Sequence, residues 1–237
     1  MSPGHKDTKS PELIVALDVD TLEKARHFVD ILYPSVKLFK ISSQLFTACG
    51  PKIIEFINQK GARVFLDLKF HDIPNTMVGA AKGALKYKVA MFTVHTLAGP
   101  TALKEVARVC RSSKTRVLGV TILTSICQHF LDDLGIKRKL PQEALYLARM
   151  AKRCGLDGVV CSVHEVTAVR KACGQDFIIV TPGIRPQGAE KNDQKRIATP
   201  GEAMRAGVNY IVVGRPVLEA KDPLKLVQGI LQEMSGE

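Results

Sequence analysis

The 237-residue chain has no tryptophan and four tyrosines, and aromatic residues make up 5% of it. Proteins that hold single-stranded nucleic acid stack bases on aromatic side chains set among their cations. The one short basic cluster, Lys137-Arg138-Lys139, has no aromatic residue beside it. The net charge of +11 therefore points to an ordinary basic surface or an anionic small-molecule ligand before nucleic acid. A non-catalytic nucleic-acid binder is the contrasting reading, and it predicts binding that weakens steeply with salt.

Other absences narrow the choice. No apolar run approaches the ~18 residues that a membrane span needs. Met1 to Pro11 is polar and lacks the apolar stretch of a secretory signal, so residues 1–11 are expected to form a frayed, disordered tail. Cys49, Cys110, Cys127, Cys154, Cys161 and Cys173 are scattered, with no CxxC pair. That pattern suggests reduced, mostly buried thiols in a cytoplasmic protein rather than disulfides or a metal site. There is no GxGxxG or Walker A loop, which argues against a nucleotide cofactor or ATP chemistry, and no HExxH metal spacing. The expectation is a protein without a nucleotide cofactor or a metal site.

What is present is 46% apolar and 24% charged residues, the balance of a globular protein. The length suits one (β/α)8 barrel, although length alone would also allow two small domains. Eight short runs rich in β-branched and apolar residues recur: Leu13–Leu17, Val36–Ile41, Arg63–Leu68, Ala90–Val94, Arg116–Thr121, Gly158–Cys161, Phe177–Thr181 and Tyr210–Val213. Near-continuous apolar runs of this length suit parallel strands buried on both faces. Helical segments lie between them. Asp20 with Glu23 reads as a capping box before Leu22–Leu32, and Thr199-Pro200-Gly201-Glu202 as another with proline in the first turn. Pro74, Gly99-Pro100, Pro141 and Asp222-Pro223 mark further starts, and Gly155 and Gly207 mark ends. Eight β–α alternations over residues 12–237 predict an α/β fold, a single (β/α)8 TIM barrel, though alternation alone also permits a doubly wound sheet. The wide gap from Ile122 to Gln142 predicts an extra loop on the catalytic side.

In such a barrel, chemistry belongs at the C-terminal ends of the strands. Strand 1 ends at Asp18, strand 2 carries Lys40, and strand 3 carries Asp67 and Lys69 before a loop with Asp72. Asp67 and Lys69 are two apart, so on a strand they share a face, while Leu66 and Leu68 point the other way. An acid and a base flanked by apolar residues are costly to bury unless paired, and Lys40 and Asp72 can extend the pair into an alternating array. A purely structural ion-pair network between strands is the bland alternative. Apolar residues would do that task at lower cost, which favours a functional array. At the other end of the chain, Thr181-Pro182-Gly183-Ile184-Arg185 and Gly214-Arg215-Pro216 follow strands 7 and 8, where barrels often bind phosphate. Glycine lets backbone N–H groups approach the oxygens, and arginine supplies forked donors. His71 and His95 also lie at strand ends, and a structural hydrogen-bonding role is expected for both.

These residues carry a resemblance. The run Phe65-Leu66-Asp67-Leu68-Lys69-Phe70-His71-Asp72-Ile73-Pro74-Asn75-Thr76 resembles the Asp-x-Lys-x-x-Asp signature of the orotidine 5′-phosphate decarboxylases. The likeness extends from Ala16-Leu17-Asp18 through Thr121 to Ser125 and Thr181 to Gly188, and ends at Val213-Gly214-Arg215-Pro216. It implies decarboxylation of orotidine 5′-phosphate to UMP in pyrimidine biosynthesis, without a cofactor. It implies that Lys69 protonates C6 and that Asp67 lies near the substrate carboxylate. Asp18 and Lys40 would hold the ribose hydroxyls, and Thr124 would contact the pyrimidine. Arg185, Arg215 and the Gly214 backbone would hold the phosphate. Gln194 would bridge phosphate and base, with Gln187 as the alternative. Asp72, Ile73 and Thr76 would reach into the site of a second subunit, so that a homodimer with shared sites is the working unit. Sugar-phosphate enzymes of the same superfamily resemble this chain on strand 3. They carry a glutamate on strand 2 that helps to ligate Mg²⁺, where this chain has Lys40. A cation there disfavours Mg²⁺, which takes oxygen ligands.

Overall fold

A computed structural model describes residues 11–186 and 197–235. Eight parallel strands pair in chain order and close on themselves, the first against the eighth. They are β1 (Glu12–Ala16), β2 (Leu38–Ser42), β3 (Arg63–Phe70), β4 (Met91–His95), β5 (Arg116–Val120), β6 (Gly158–Val160), β7 (Ile178–Thr181) and β8 (Tyr210–Val213). The helices are α1 (Leu22–Leu32), α2 (Ser43–Cys49), α3 (Lys52–Gln59), α4 (Pro74–Lys86), α5 (Gly99–Cys110), α6 (Gln128–Asp133), α7 (Leu140–Arg153), α8 (Val163–Cys173), α9 (Pro200–Ala206), α10 (Arg215–Leu218) and α11 (Pro223–Ser235). The fold is a (β/α)8 TIM barrel, and closure removes the open-sheet alternative. All six cysteines are free, four of them are buried and Cys127 is exposed.

The period-2 alternation of the strands divides the core into two bodies. Ile14, Ala16, Leu38, Phe65, Met91, Leu118, Val180 and Val212 point inward and fill the barrel. Their neighbours, such as Leu13, Val15, Phe39, Leu66, Phe92 and Val117, point outward against the helices. This is the layered interior of a packed barrel. At Gly158 the backbone of β6 approaches β7 so closely that a Cβ would lie 2.2 Å from the Ile178 carbonyl oxygen, which excludes any side chain there.

Helix ends follow local chemistry. The Thr199 hydroxyl accepts from the Glu202 amide, the Glu202 carboxylate accepts from the Thr199 amide, and Gly207 closes α9 in the left-handed conformation. The start of α1 departs from expectation. Thr21, not Asp20, is the cap: its hydroxyl accepts from the Lys24 amide, while Asp20 pairs with the Lys24 ammonium at 2.8 Å. The threonine is one residue nearer, and it has the extended backbone that a cap requires. A second box, Ser162 with Glu165, opens α8, although the sequence reading did not single it out. The segment from Ile122 to Gln142 contains α6 as well as a loop, and α7 begins inside it at Leu140. Gln128 holds the segment together, accepting from the Leu140 amide at 2.7 Å and donating to Asp132 at 2.8 Å.

Candidate active site

The inward parity that fills the barrel with apolar side chains continues toward the C-terminal rim, where residue type changes. Beyond Ile14 and Ala16 comes Asp18; beyond Leu38 comes Lys40; beyond Phe65 come Asp67 and Lys69; beyond Met91 comes Thr93; and beyond Val212 comes Gly214. Asp18, Lys40, Asp67 and Lys69 line one cavity of about 250 Å³, together with Thr124, Arg185, Gly214 and Arg215. The cavity therefore collects eight expected site residues from six of the strand ends or the loops that follow them.

The four charges form an alternating chain. Lys40 Nζ lies 3.2 Å from Asp18 Oδ1 and 3.5 Å from Asp67 Oδ2, and Lys69 Nζ donates to Asp67 Oδ2 at 2.9 Å. The Lys40 and Asp67 side chains are each 11% exposed, whereas Lys69 is 38% exposed and Asp18 39%, so the array runs from buried centre to open ends. Burial raises the Asp67 carboxyl pKa. The Lys40 and Lys69 ammoniums, with hydrogen bonds from Lys69 and Thr93, outweigh burial and hold it below the ordinary carboxylate value. Asp67 is thus an ionised anchor for two ammoniums, one of which reaches open cavity.

Strand β3 is less regular than its alternation implies. Its register against β4 shifts between Leu66 and Phe70, and Lys69 has φ 52°, rare for a residue with a side chain. Asp67 and Lys69 still face the cavity together, but through a bulge.

The loops that carry Gly183 and Arg185 and Gly214 and Arg215 are also at the rim. Gly183 has φ 81°, a backbone conformation that L side chains rarely adopt. A Cβ on Gly214 would lie 3.2 Å from Asp18 Oδ2 and 3.3 Å from Ala16 Cβ, so glycine lets β8 and β1 close together there. Arg185 is buried, and its amide donates to the Ala198 carbonyl at 2.9 Å, pinning the chain on both sides of the segment between them. Gln187 and Gln194 lie outside the described residues.

Asp72, Ile73 and Thr76 do not join this cavity. They are exposed on the turn leading into α4 and in its first turn, where the Asp72 carboxylate accepts from the Ile73 amide at 2.7 Å. Ile73 is 66% exposed, and beside it Leu97 is 49% exposed, which forms an apolar patch next to the rim. His71 and His95 stack with ring centroids 5.2 Å apart. Burial, with the nearby His71 and Lys69 charges, pushes the His95 pKa down to about 4.

The sequence reading missed the apolar wall, to which Val120, Ile122, Leu123, Val160 and Val212 contribute. On the strands such residues are indistinguishable in sequence from barrel core, and only their height separates them, while Ile122 and Leu123 lie just beyond the end of β5. It also passed over Thr93, whose signal would have been a hydroxyl between Met91 and His95 in the inward register of β4.

The model of the family described as orotidine 5′-phosphate decarboxylase / HUMPS matches residues 11–230. The chain is 47% identical over 231 residues to an orotidine 5′-phosphate decarboxylase of Syntrophotalea carbinolica, covering 94% of this chain and 95% of that protein. It is 46% identical to the protein of the same name from Syntrophomonas wolfei, covering 94% and 97%. A crystal structure of orotidine 5′-phosphate decarboxylase from Lactobacillus acidophilus superposes with a TM-score of 0.85 at 37% identity, covering 94% of this chain and 99% of that one. Likeness along almost the whole length, on a barrel whose rim carries the charged array where the signature places it, establishes that this chain belongs to the orotidine 5′-phosphate decarboxylase / HUMPS family.

Proposed function

We propose that this chain decarboxylates orotidine 5′-phosphate to UMP, and that Lys69 is the proton donor. The observation that carries the reading is the alternating array Asp18–Lys40–Asp67–Lys69, whose outer ammonium opens into a cavity that Arg185 and Arg215 also line. The C6–carboxylate bond breaks, CO2 leaves, and its electron pair stays on C6 as a localised carbanion. A fixed ammonium beside C6 stabilises that charge, then forms the C6–H bond and is left as an amine that regains its proton from solvent. Lysine suits both tasks because it is a compact cation with a transferable proton. Asp67 holds and aims it, with Lys40 on the same carboxylate oxygen. Asp18 and Lys40 bind the ribose hydroxyls, Thr124 contacts the base, and Arg185, Arg215 and the Gly214 backbone grip the phosphate.

The array favours this reaction over the Mg²⁺-dependent sugar-phosphate chemistry of the wider family. Lys40 lies within 3.5 Å of Asp18 and Asp67, so the carboxylates that would ligate a divalent cation are already paired with an ammonium. The test is consumption of orotidine 5′-phosphate, followed spectrophotometrically with and without exhaustive chelation. Equal rates are expected. Loss of activity on chelation with recovery on adding Mg²⁺ would refute the cofactor-free reading, and no turnover under either condition would refute the substrate.

The working unit is a homodimer with shared sites. Exposed Ile73 and Leu97, together with exposed Asp72 and Thr76 that do not line their own cavity, support a surface where a second copy receives them. A cytoplasmic location fits a chain in which no described helix is long and apolar enough to cross a membrane.

A further inference from the structure

We propose that Thr93 is a positioning residue for proton transfer: its single hydroxyl fixes both the carboxylate that aims Lys69 and the backbone turn from which Lys69 projects. The inference rests on the reaction proposed above. Thr93 lies on β4, one strand from the acid–base pair, and is fully buried. Its Oγ1 donates to Asp67 Oδ1 at 2.9 Å and accepts from the Lys69 amide at 2.9 Å. A hydroxyl has one proton to give and two lone pairs to share, so both bonds can form at once.

The geometry explains why a hydroxyl is needed here. Leu66 pairs with Phe92 and Phe70 with Val94, so β3 advances four residues where β4 advances two. Within that bulge Lys69 takes the left-handed backbone, and its amide turns to the Thr93 side chain for an acceptor. Strain of this kind persists only where the surroundings over-determine it. Thr93 supplies that restraint at the same point where it occupies Asp67 Oδ1. Because Oδ1 is taken by Thr93, the two ammoniums meet on Oδ2, Lys69 at 2.9 Å and Lys40 at 3.5 Å. The hydroxyl thereby sets the rotation of the carboxylate and, through it, the direction of the Lys69 ammonium. Thr93 itself does not line the cavity, so it acts through Asp67 and Lys69 rather than on substrate.

The test compares Thr93→Val, which keeps the shape and removes the hydroxyl, with Thr93→Ser, which keeps the hydroxyl and removes the methyl. Thr93→Ala removes the hydroxyl without placing a methyl against Asp67, and replaces the valine variant if that one does not fold. In the valine or alanine variant kcat is expected to fall by about 10- to 100-fold, the scale for misplacing a reacting group by an ångström, while KM stays within about threefold. The serine variant is expected to keep kcat within about threefold of wild type. Loss of the hydroxyl also removes one of the bonds that hold the Asp67 pKa down, so the acid limb of the kcat profile moves to higher pH in the valine variant and not in the serine one. A valine or alanine variant with kcat within threefold of an active wild type overturns the role of Thr93 alone. So does a serine variant as impaired as the valine one. A wild-type protein without turnover in the same assay overturns the role together with the reaction on which it rests.

Discussion

Replacing Lys69 with methionine removes the ammonium while keeping a side chain of similar length. The fold should tolerate the change, because Asp67 retains Lys40 at 3.5 Å and the Thr93 hydroxyl at 2.9 Å and is left neither uncompensated nor unsatisfied. Lys69 is 38% exposed, so its pair with Asp67 contributes about 1 kcal/mol or less to stability once solvent screening is allowed for. The catalytic loss is much larger. An ammonium about 3.5 Å from a developing carbanion, at an effective dielectric constant near 20, stabilises it by about 4–5 kcal/mol. That is roughly a thousandfold in rate. Loss of the proton donor adds a factor of about 10²–10⁴. The expected result is a kcat at least about 10⁴-fold lower, with UMP binding changed far less, because both effects belong mainly to the transition state. Saturating turnover followed spectrophotometrically, and UMP binding followed by calorimetry, separate the two. A variant that keeps more than about a tenth of wild-type kcat, a loss of only ~1.4 kcal/mol, would refute the assignment of Lys69.

Three other perturbations read different parts of the molecule. Arg215→Ala removes a grip on a non-reacting group, so KM should rise and kcat/KM fall by at least about tenfold, and unchanged kinetics would move the phosphate elsewhere. An Asp72→Ala chain and a Lys69→Ala chain should each be nearly inactive alone, yet an equal mixture that exchanges subunits should recover about a quarter of wild-type activity, since half the dimers are mixed and each has one intact site; no recovery despite exchange, shown by mass spectrometry of tagged chains, would place Asp72 in its own site. His95 has a folded pKa of about 4 against an ordinary 6.5, so between those values the unfolded chain binds the extra proton and stability falls as pH is lowered. With the partly exposed ring screened by solvent, the loss is on the order of 1 kcal/mol. Melting temperatures of wild type and His95→Gln across that window should show the slope reduced in the variant, and equal slopes would refute the assignment.

Much of the barrel was legible because its causes are local. Eight apolar runs with β-branched residues, separated by helices with proline or capping boxes at their starts, specify the alternation that closes into β1–β8. That Asp67 and Lys69 share a face was legible too, since a period of two decides which face each occupies. The Asp-x-Lys-x-x-Asp run marked the family before any geometry was known.

Tertiary structure decided what depends on neighbours distant in the chain. Alternation could not separate a closed barrel from an open sheet; the pairing of β1 with β8, nearly 200 residues apart, made that choice. The α1 cap passed from Asp20 to Thr21 because backbone conformation, not residue type alone, determines which oxygen reaches an amide. The apolar wall of the cavity became distinct from core only once each residue's height in the barrel was set. The bulge at Lys69 is the sharpest case. A strict period of two describes β3 as a regular strand, but the hydroxyl of Thr93, 24 residues onward, holds the Lys69 amide and the Asp67 carboxylate together. A residue's own sequence neighbours set its face on a strand. The direction in which a buried charge points is set by the hydrogen bonds that other strands bring to it.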